Sequence, residues 1–475
     1  MTDEDHVKKI ERIILAKQFH SVDHLLPLVK KHHAKLFDIQ IELLSLNKNG
    51  VPKFEALPHR SQLDGQTLLT YLMYCKKNKS ICTNKIYNLL IHSHQMQNYA
   101  AECTEVRLYF ARELMATKHF AKAYAVINLD KSTDPTELTN ANHLSGFLAL
   151  KLKKYKAAIG HFQACLNAAK RTSTKAKALY WLGRVLKAQN QTKAAKEYFT
   201  ASAKYNYTWF GQLSLLELDI KTLNLQKTQT NDAAIAAINK SELMQCLKLI
   251  VKYGGIGLAT DYARALLTQC TTPQEIAATM YCISQLPELY LVAEIGKIAV
   301  DKGVFLDIIF PRPYNLTNTK VEKSLILAII RQESSFDQRA TDLLGARGLM
   351  QIMPSIRTAI AKNLDIACDP EKLLSDPHYN ILFGDSHLQS YIDIFNGSYL
   401  CGILSYNAGP EKVRQWIARN GDPRRYNNIN DIVDWIEMIP FVITRGYIQK
   451  VMSNLQIFRT LNGNNDLMLK YDLMK

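Results

Sequence analysis

From the first residues to about position 310, apolar side chains return every three or four residues, and no stretch alternates apolar with polar long enough to suggest a strand. The expected element is the α-helix, many times over. Glycine and proline interrupt the series at Gly50, Pro52, Pro58, Pro135, Gly254, Gly255, Pro273 and Pro287. Such residues disfavour a continuing helix and divide the region into short segments.

In the middle of this region the pattern repeats itself. Gly146, Ala158 and Phe162 return as Gly183, Ala195 and Phe199, each 37 residues later. Phe120-Ala121-Lys122-Ala123 is a degenerate earlier copy of Tyr155-Lys156-Ala157-Ala158. Small residues let two helices touch, and the aromatic fills the space against the next pair. This resembles the tetratricopeptide pattern, at a period slightly above its usual length of about 34 residues. Stacked pairs build an α-solenoid with a concave face. Such an array has two uses, to hold an extended polymer or to dock a partner protein.

Phe310-Pro311-Arg312-Pro313-Tyr314 sets two prolines within three residues. No helix runs through such a segment, which marks the expected boundary between a helical domain, 1–310, and a second domain, 311–475. One run organises the second domain: SLILAIIRQESSFDQRATDLLGARGLMQIMP, from Ser324 to Pro354. Ile326, Ile329, Ile330 and Glu333 share one face at helical spacing, which puts a carboxylate on an apolar stripe near a helix C-terminus. Burial and the negative end of the helix dipole both raise a carboxyl pKa, which is how a general acid is made. The plainer alternative is a structural glutamate bonded to Arg331 or to a loop N–H. Gly345, Ala346 and Gly348, then Leu349, Met350 and Gln351, form a turn in which backbone can approach a ligand and an amide follows the acid. The other carboxylates nearby are Asp337 and Asp342, both in a polar loop and neither an evident nucleophile.

Charge narrows the choice of partner. The net charge is +16, but from Pro311 onward 19 basic residues face 17 acidic ones, so nearly all the excess lies on the first 310 residues. The lysines in KKIERIILAK, VKKHHAK and KLKKYK are spaced like solvated helix faces, and no nucleic-acid motif accompanies them. Solvated helix faces are the expected reading of this charge, although an acidic polymer would also suit such a frame. Nine cysteines show no CxxC pair and no histidine at ligand spacing, so neither a metal site nor a disulfide framework is expected. Residues 1–30 are charged and carry no apolar signal core. The apolar run Leu325–Ile330 is too short to span a bilayer, and no transmembrane segment is expected.

Three ordered motifs then carry a family resemblance. Gln332-Glu333-Ser334-Ser335-Phe336, the run Gly345 to Pro354, and Ser405-Tyr406-Asn407-Ala408-Gly409-Pro410 together resemble the soluble lytic transglycosylases of bacteria, over roughly eighty residues. Tyr207 to Leu213 is similar to an aromatic-Gly-Gln-Leu mark in the helical part of that family. Phe310 to Tyr314 is similar to the proline-rich approach to its catalytic domain. The resemblance implies an all-α chain, with an N-terminal α-solenoid followed by a mainly α, goose-type-lysozyme-like catalytic domain. It implies peptidoglycan glycan strands as partner, a periplasmic location, and no cofactor or metal.

Residue by residue, the resemblance makes Glu333 catalytic. Gln351, Tyr406 and Asn407 would hydrogen-bond the sugar and position Glu333. Met350 and Met353 would form an apolar wall, with Met353 also within reach of the sugar. Asp342 stands where a serine that contacts substrate is often found, and Glu437, Arg445 and Tyr447 match the last motif. The departure is Ile443, where the family usually carries a second glutamate that orders the site and the sugar. The implied reaction cleaves the bond between N-acetylmuramic acid and N-acetylglucosamine and leaves a 1,6-anhydro end. The competing readings are a muramidase hydrolase on the same fold and a catalytically weakened glycan-binding scaffold.

Overall fold

The structure is a computed structural model that describes residues 2–92, 96, 99–129 and 134–475. Among these residues there are twenty-seven α-helices and no strand. The chain divides into two compact units, 1–169 and 170–475. The boundary expected at 310 falls inside the second unit.

Both units contain the helix-pair repeat. In the first, α1 (Ala100–Ala116) and α2 (Phe120–Ile127) form the degenerate copy, and α3 (Pro135–Lys151) and α4 (Tyr155–Ala168) a full one. In the second, α5 (Thr172–Ala188) and α6 (Thr192–Ala203) repeat it. Each pair is joined through one left-handed residue: Lys118 at φ 62°, Lys153 at φ 56° and Asn190 at φ 61°. The next N–H then reaches back to a carbonyl of the last helical turn, Lys154 to Ala149 at 2.8 Å and Gln191 to Leu186 at 3.0 Å, which satisfies acceptors the helix leaves open. A Cβ on Gly146 would lie 2.8 Å from the Phe162 ring, and one on Gly183 would lie 2.5 Å from that of Phe199. Both phenylalanines are fully buried against those glycines. The repeat thus works by removing a side chain so that a ring can be buried.

In the second unit, α7 (Trp209–Glu217) carries the aromatic-Gly-Gln-Leu segment. Buried Gln212 donates from Nε2 to the Ser453 carbonyl, at 3.1 Å, on the long helix α15 (Val442–Leu461). Tyr180 and Arg184 of α5 bond Asn430 and Asp434 of α14 (Ile429–Glu437), each at 3.1 Å. A chain of rings, Tyr207–Phe305–Phe310–Phe458, runs through the proline-rich segment with centroid spacings of 6.2, 5.6 and 5.5 Å. The segment is therefore packed from both sides.

The helix that ends on Glu333, α9 (Lys323–Glu333), packs along α15. Ser324 through Arg331 are all buried, so the single apolar stripe expected from spacing is in fact burial on every side. The prolines also behave differently from simple interruptions: Pro135 and Pro273 open their helices, and Pro52 lies in the first turn of Gly50–Glu55. Among the described residues, no helix is long and apolar enough to cross a membrane.

Candidate active site

Glu333 is the last residue of α9, and the chain turns sharply after it. Ser335 and Phe336 take left-handed φ values of 53° and 67°, and Gln351 takes 50°. Each such non-glycine residue stores on the order of 1–3 kcal/mol of strain, which the surrounding contacts must hold. The loop that follows is pinned at several points. Gly348 donates to the Ala340 carbonyl at 2.8 Å, and Arg347 and Ile352 exchange backbone hydrogen bonds at 3.2 and 3.0 Å. Asn380, fully buried on α11 (Pro377–Ile394), accepts from the Met350 N–H and donates to the Arg347 and Leu373 carbonyls, each at 2.9 Å. A Cβ on Gly348, at φ 73°, would stand 2.2 Å from both Asn380 and the Leu373 carbonyl, so no other residue fits there.

The Glu333 carboxyl accepts a 2.5 Å hydrogen bond from the Tyr447 hydroxyl of α15. Desolvation by the surrounding protein raises its pKa to about 7; the Asp342 charge adds to the rise and the Tyr447 hydrogen bond opposes it. A second phenol, Tyr406, feels the same carboxylate and is itself raised well above its ordinary value, chiefly by burial. Its hydroxyl donates to the Met350 carbonyl at 2.7 Å. Arg331 is not the partner of Glu333. It points the other way, donating to the Ile309 carbonyl at 2.5 Å with its guanidinium 4.0 Å from the centre of the Phe310 ring. Burial lowers the Arg331 pKa to about 9.

The remaining expected residues fall into three places. Tyr406 and Asn407 occupy the last turn of α12 (Tyr399–Ala408), and Gly409 caps that helix at φ 82°. Asn407 accepts from the Thr444 hydroxyl at 2.8 Å, which ties α12 to the start of α15. Gln351 spends its amide N–H groups on its own loop, bonding the Gly348 and Ala340 carbonyls at 2.9 and 3.2 Å, and half-buried Met353 precedes helix α10 (Pro354–Leu364). Asp342 is exposed and caps the loop tip, accepting from the Leu344 and Ala346 N–H groups at 2.9 and 2.8 Å. Glu437 is only 2% exposed and accepts a 3.4 Å hydrogen bond from Gln449, while its charge supports buried Arg445. Ile443, 77% exposed, stands in the first turn of α15. Among the described residues, no group of three His, Cys, Asp or Glu could hold a metal ion.

A family described as Transglycosylase SLT domain matches residues 314–429, which span Glu333, its loop, Tyr406 and Asn407. About a quarter of the chain is thus similar to that domain. The soluble lytic murein transglycosylase of Escherichia coli K12 is 33% identical over 168 residues, 34% of this chain and 25% of that protein. A putative soluble lytic murein transglycosylase of Haemophilus influenzae is 29% identical over 206 residues, 42% of this chain and 33% of that one. The chain thus aligns with a third or less of these relatives' length. Two solved structures share the fold over nearly the whole chain. The inactive glutamate-to-glutamine mutant of lytic transglycosylase Slt from Pseudomonas aeruginosa superposes with TM-score 0.71 at 21% identity, covering 98% of this chain and 74% of that one. The 70-kDa soluble lytic transglycosylase of Escherichia coli gives 0.69 at 19%, covering 99% and 74%. The resemblance drawn from the motifs, and the solenoid with a lysozyme-like domain, are thereby supported.

Two groups around Glu333 and Tyr406 were given no role from sequence. Tyr447 bonds Glu333 across 114 residues of chain, beyond the 314–429 match. Its place in the last motif beside Arg445 was the available signal. His387 packs its ring against Tyr391 and Tyr406 at 4.2 and 5.6 Å, and burial lowers its pKa to about 4, so it stands as a neutral wall. A lone histidine on a helix gives no sequence signal of that kind.

Proposed function

We propose that this chain is a peptidoglycan lytic transglycosylase. The observation that carries the reading is a single glutamate with a pKa near neutrality, bonded to a phenol, beside an exposed aspartate occupied with its own loop. A glycosidase that relied on two carboxylates would need the second one free to act across the scissile bond. With one acid, the substrate must supply the nucleophile. Protonated Glu333 gives its proton to the bridging oxygen as the C1–O bond of N-acetylmuramic acid breaks, releasing the 4-hydroxyl of N-acetylglucosamine. The 2-acetamido oxygen stabilises C1 in passing. Ionised Glu333 then takes the proton of the muramic 6-hydroxyl as that oxygen closes on C1, so no water is consumed.

Tyr447 and Tyr406 hold the carboxyl and the Met350 backbone, and Asn407, Gln351, Met353, Asp342 and Glu437 complete the set we assign to the substrate side. The inactive glutamine mutant among the structural neighbours is consistent with a glutamate at the centre of this chemistry. We retain 1–310 as the helical, glycan-holding part and 311–475 as the catalytic part, with the periplasm as the location; the SLT match beginning at residue 314 supports that division. Mass spectrometry of fragments released from purified sacculi tests the reaction. A 1,6-anhydro end is expected; a free reducing end would make the protein a muramidase hydrolase. No release at all would leave a glycan-binding scaffold.

A further inference from the structure

Behind the catalytic turn lies a polar cluster with no role in the chemistry above. Ser335 is buried, and its hydroxyl lies 2.8 Å from Glu294 Oε2 and 2.5 Å from Lys297 Nζ. Lys297 is 3.0 Å from the same carboxylate oxygen. Both charged residues sit one turn apart on α8 (Leu289–Asp301), a helix outside the SLT match. The hydroxyl donates to the carboxylate and accepts from the ammonium, so its hydrogen-bonding capacity is used on both sides. Burial acts to raise the Glu294 pKa, but Lys297, Ser335 and Arg264 together outweigh it and hold the carboxylate ionised. The neighbouring residue, Phe336, is also left-handed and buried, and it stacks on Tyr314 at 6.4 Å. A turn with two adjacent left-handed side chains stays formed only where its surroundings impose it.

We propose that Glu294 and Lys297 are positioning residues: an ion pair on α8 latches the Ser335 hydroxyl, fixes the left-handed turn after Glu333, and so aims the Glu333 carboxyl at Tyr447. The inference rests on reading Glu333 as the reacting acid. It gives α8 a duty beyond packing.

Ser335→Gly in the full chain is the decisive variant. Glycine accepts the left-handed conformation, so the fold is kept and only the latch is lost. Turnover of purified sacculi should fall about tenfold in kcat with KM within about twofold, because the acid is misplaced while the sugar still binds. Lys297→Met should reproduce that loss and Lys297→Arg should restore most of it. A readout independent of turnover is the Glu333 titration, followed by 13C NMR of glutamate-labelled protein and assigned by the signal missing in Glu333→Gln. In Ser335→Gly the midpoint should drop toward that of an ordinary glutamate as water reaches the loosened carboxyl. Wild-type kcat together with an unmoved midpoint would overturn the latch. Should the parent protein release nothing from sacculi, the functional reading fails, and the midpoint alone then decides: a drop supports the latch and no change refutes it.

Discussion

In the paired helices, Gly146 and Gly183 give up side chains so that Phe162 and Phe199 can be buried, and the only left-handed residues described there, Lys118, Lys153 and Asn190, lie exposed in the connecting turns. Around Glu333 the relation is reversed. Ser335 and Phe336 are left-handed inside the protein, and around them pack a half-buried carboxyl, two phenols, an arginine and a hydroxyl. The first region is stabilised by apolar burial with little strain; the second gives up stability to keep a carboxyl that changes protonation near neutral pH. The repeats should therefore be sensitive to volume and indifferent to chemistry, and the site the opposite.

The sharpest contrast comes from Glu333→Gln. Acid–base catalysis contributes on the order of 10²–10⁴-fold, so the release of muropeptides, measured by chromatography, should fall by at least that range while the fold is retained. Residual turnover close to the parent's would break the assignment. The same variant should be more stable than the parent at high pH. A carboxyl whose pKa rises from 4.5 to about 7 on folding binds its proton more tightly in the folded state, so its presence costs stability as pH climbs through that window. By pH 8 the difference in denaturant unfolding should reach about 3 kcal/mol, and it should vanish below pH 4.5.

Phe199→Ala tests the other side of the comparison. Emptying a fully buried ring site costs about 3–5 kcal/mol, visible in thermal unfolding, while kcat of the folded protein should stay at the parent value. A selective loss of kcat would show that the repeats are not merely structural. Tyr447→Phe should lower kcat roughly tenfold and, by removing the hydrogen bond that favours the ionised form, shift the alkaline fall of activity to higher pH. The parent's own activity should decline above about pH 7. The smallest change expected is Ile443→Glu. An exposed carboxylate in the first turn of α15 gains about 0.3–1 kcal/mol from the helix dipole, and activity should rise if the site lacks the family's second glutamate. Unchanged kcat would mean that other groups already order the sugar.

Much of this could be read along the chain because it follows from near neighbours. The 37-residue recurrence announced helix pairs, the spacing of Ile326, Ile329, Ile330 and Glu333 announced a buried-side carboxyl, and Gly348 announced a close approach of backbone. What stayed hidden depends on distant partners or on backbone sign. Tyr447 and Glu333 meet only because α9 lies along α15, and Ser335 meets Glu294 across 41 residues. Nothing in the sequence around Gln351 told that its φ would be 50° or that its amide N–H groups would bond the carbonyls of its own loop. The structural alternative for Glu333, a bond to Arg331, fails for a similar reason: the arginine leaves on the other side of the helix.

That departure of Arg331 has a consequence for how the protein can be cut. Its two supports, the Ile309 carbonyl and the Phe310 ring, both precede residue 311. A polypeptide begun at Pro311 would lack both the acceptor and the ring that hold the Arg331 guanidinium. The double-proline crossing is thus a party wall shared by the rooms on either side, and the half that holds Glu333 cannot be lifted out along it without taking some of the masonry that comes before.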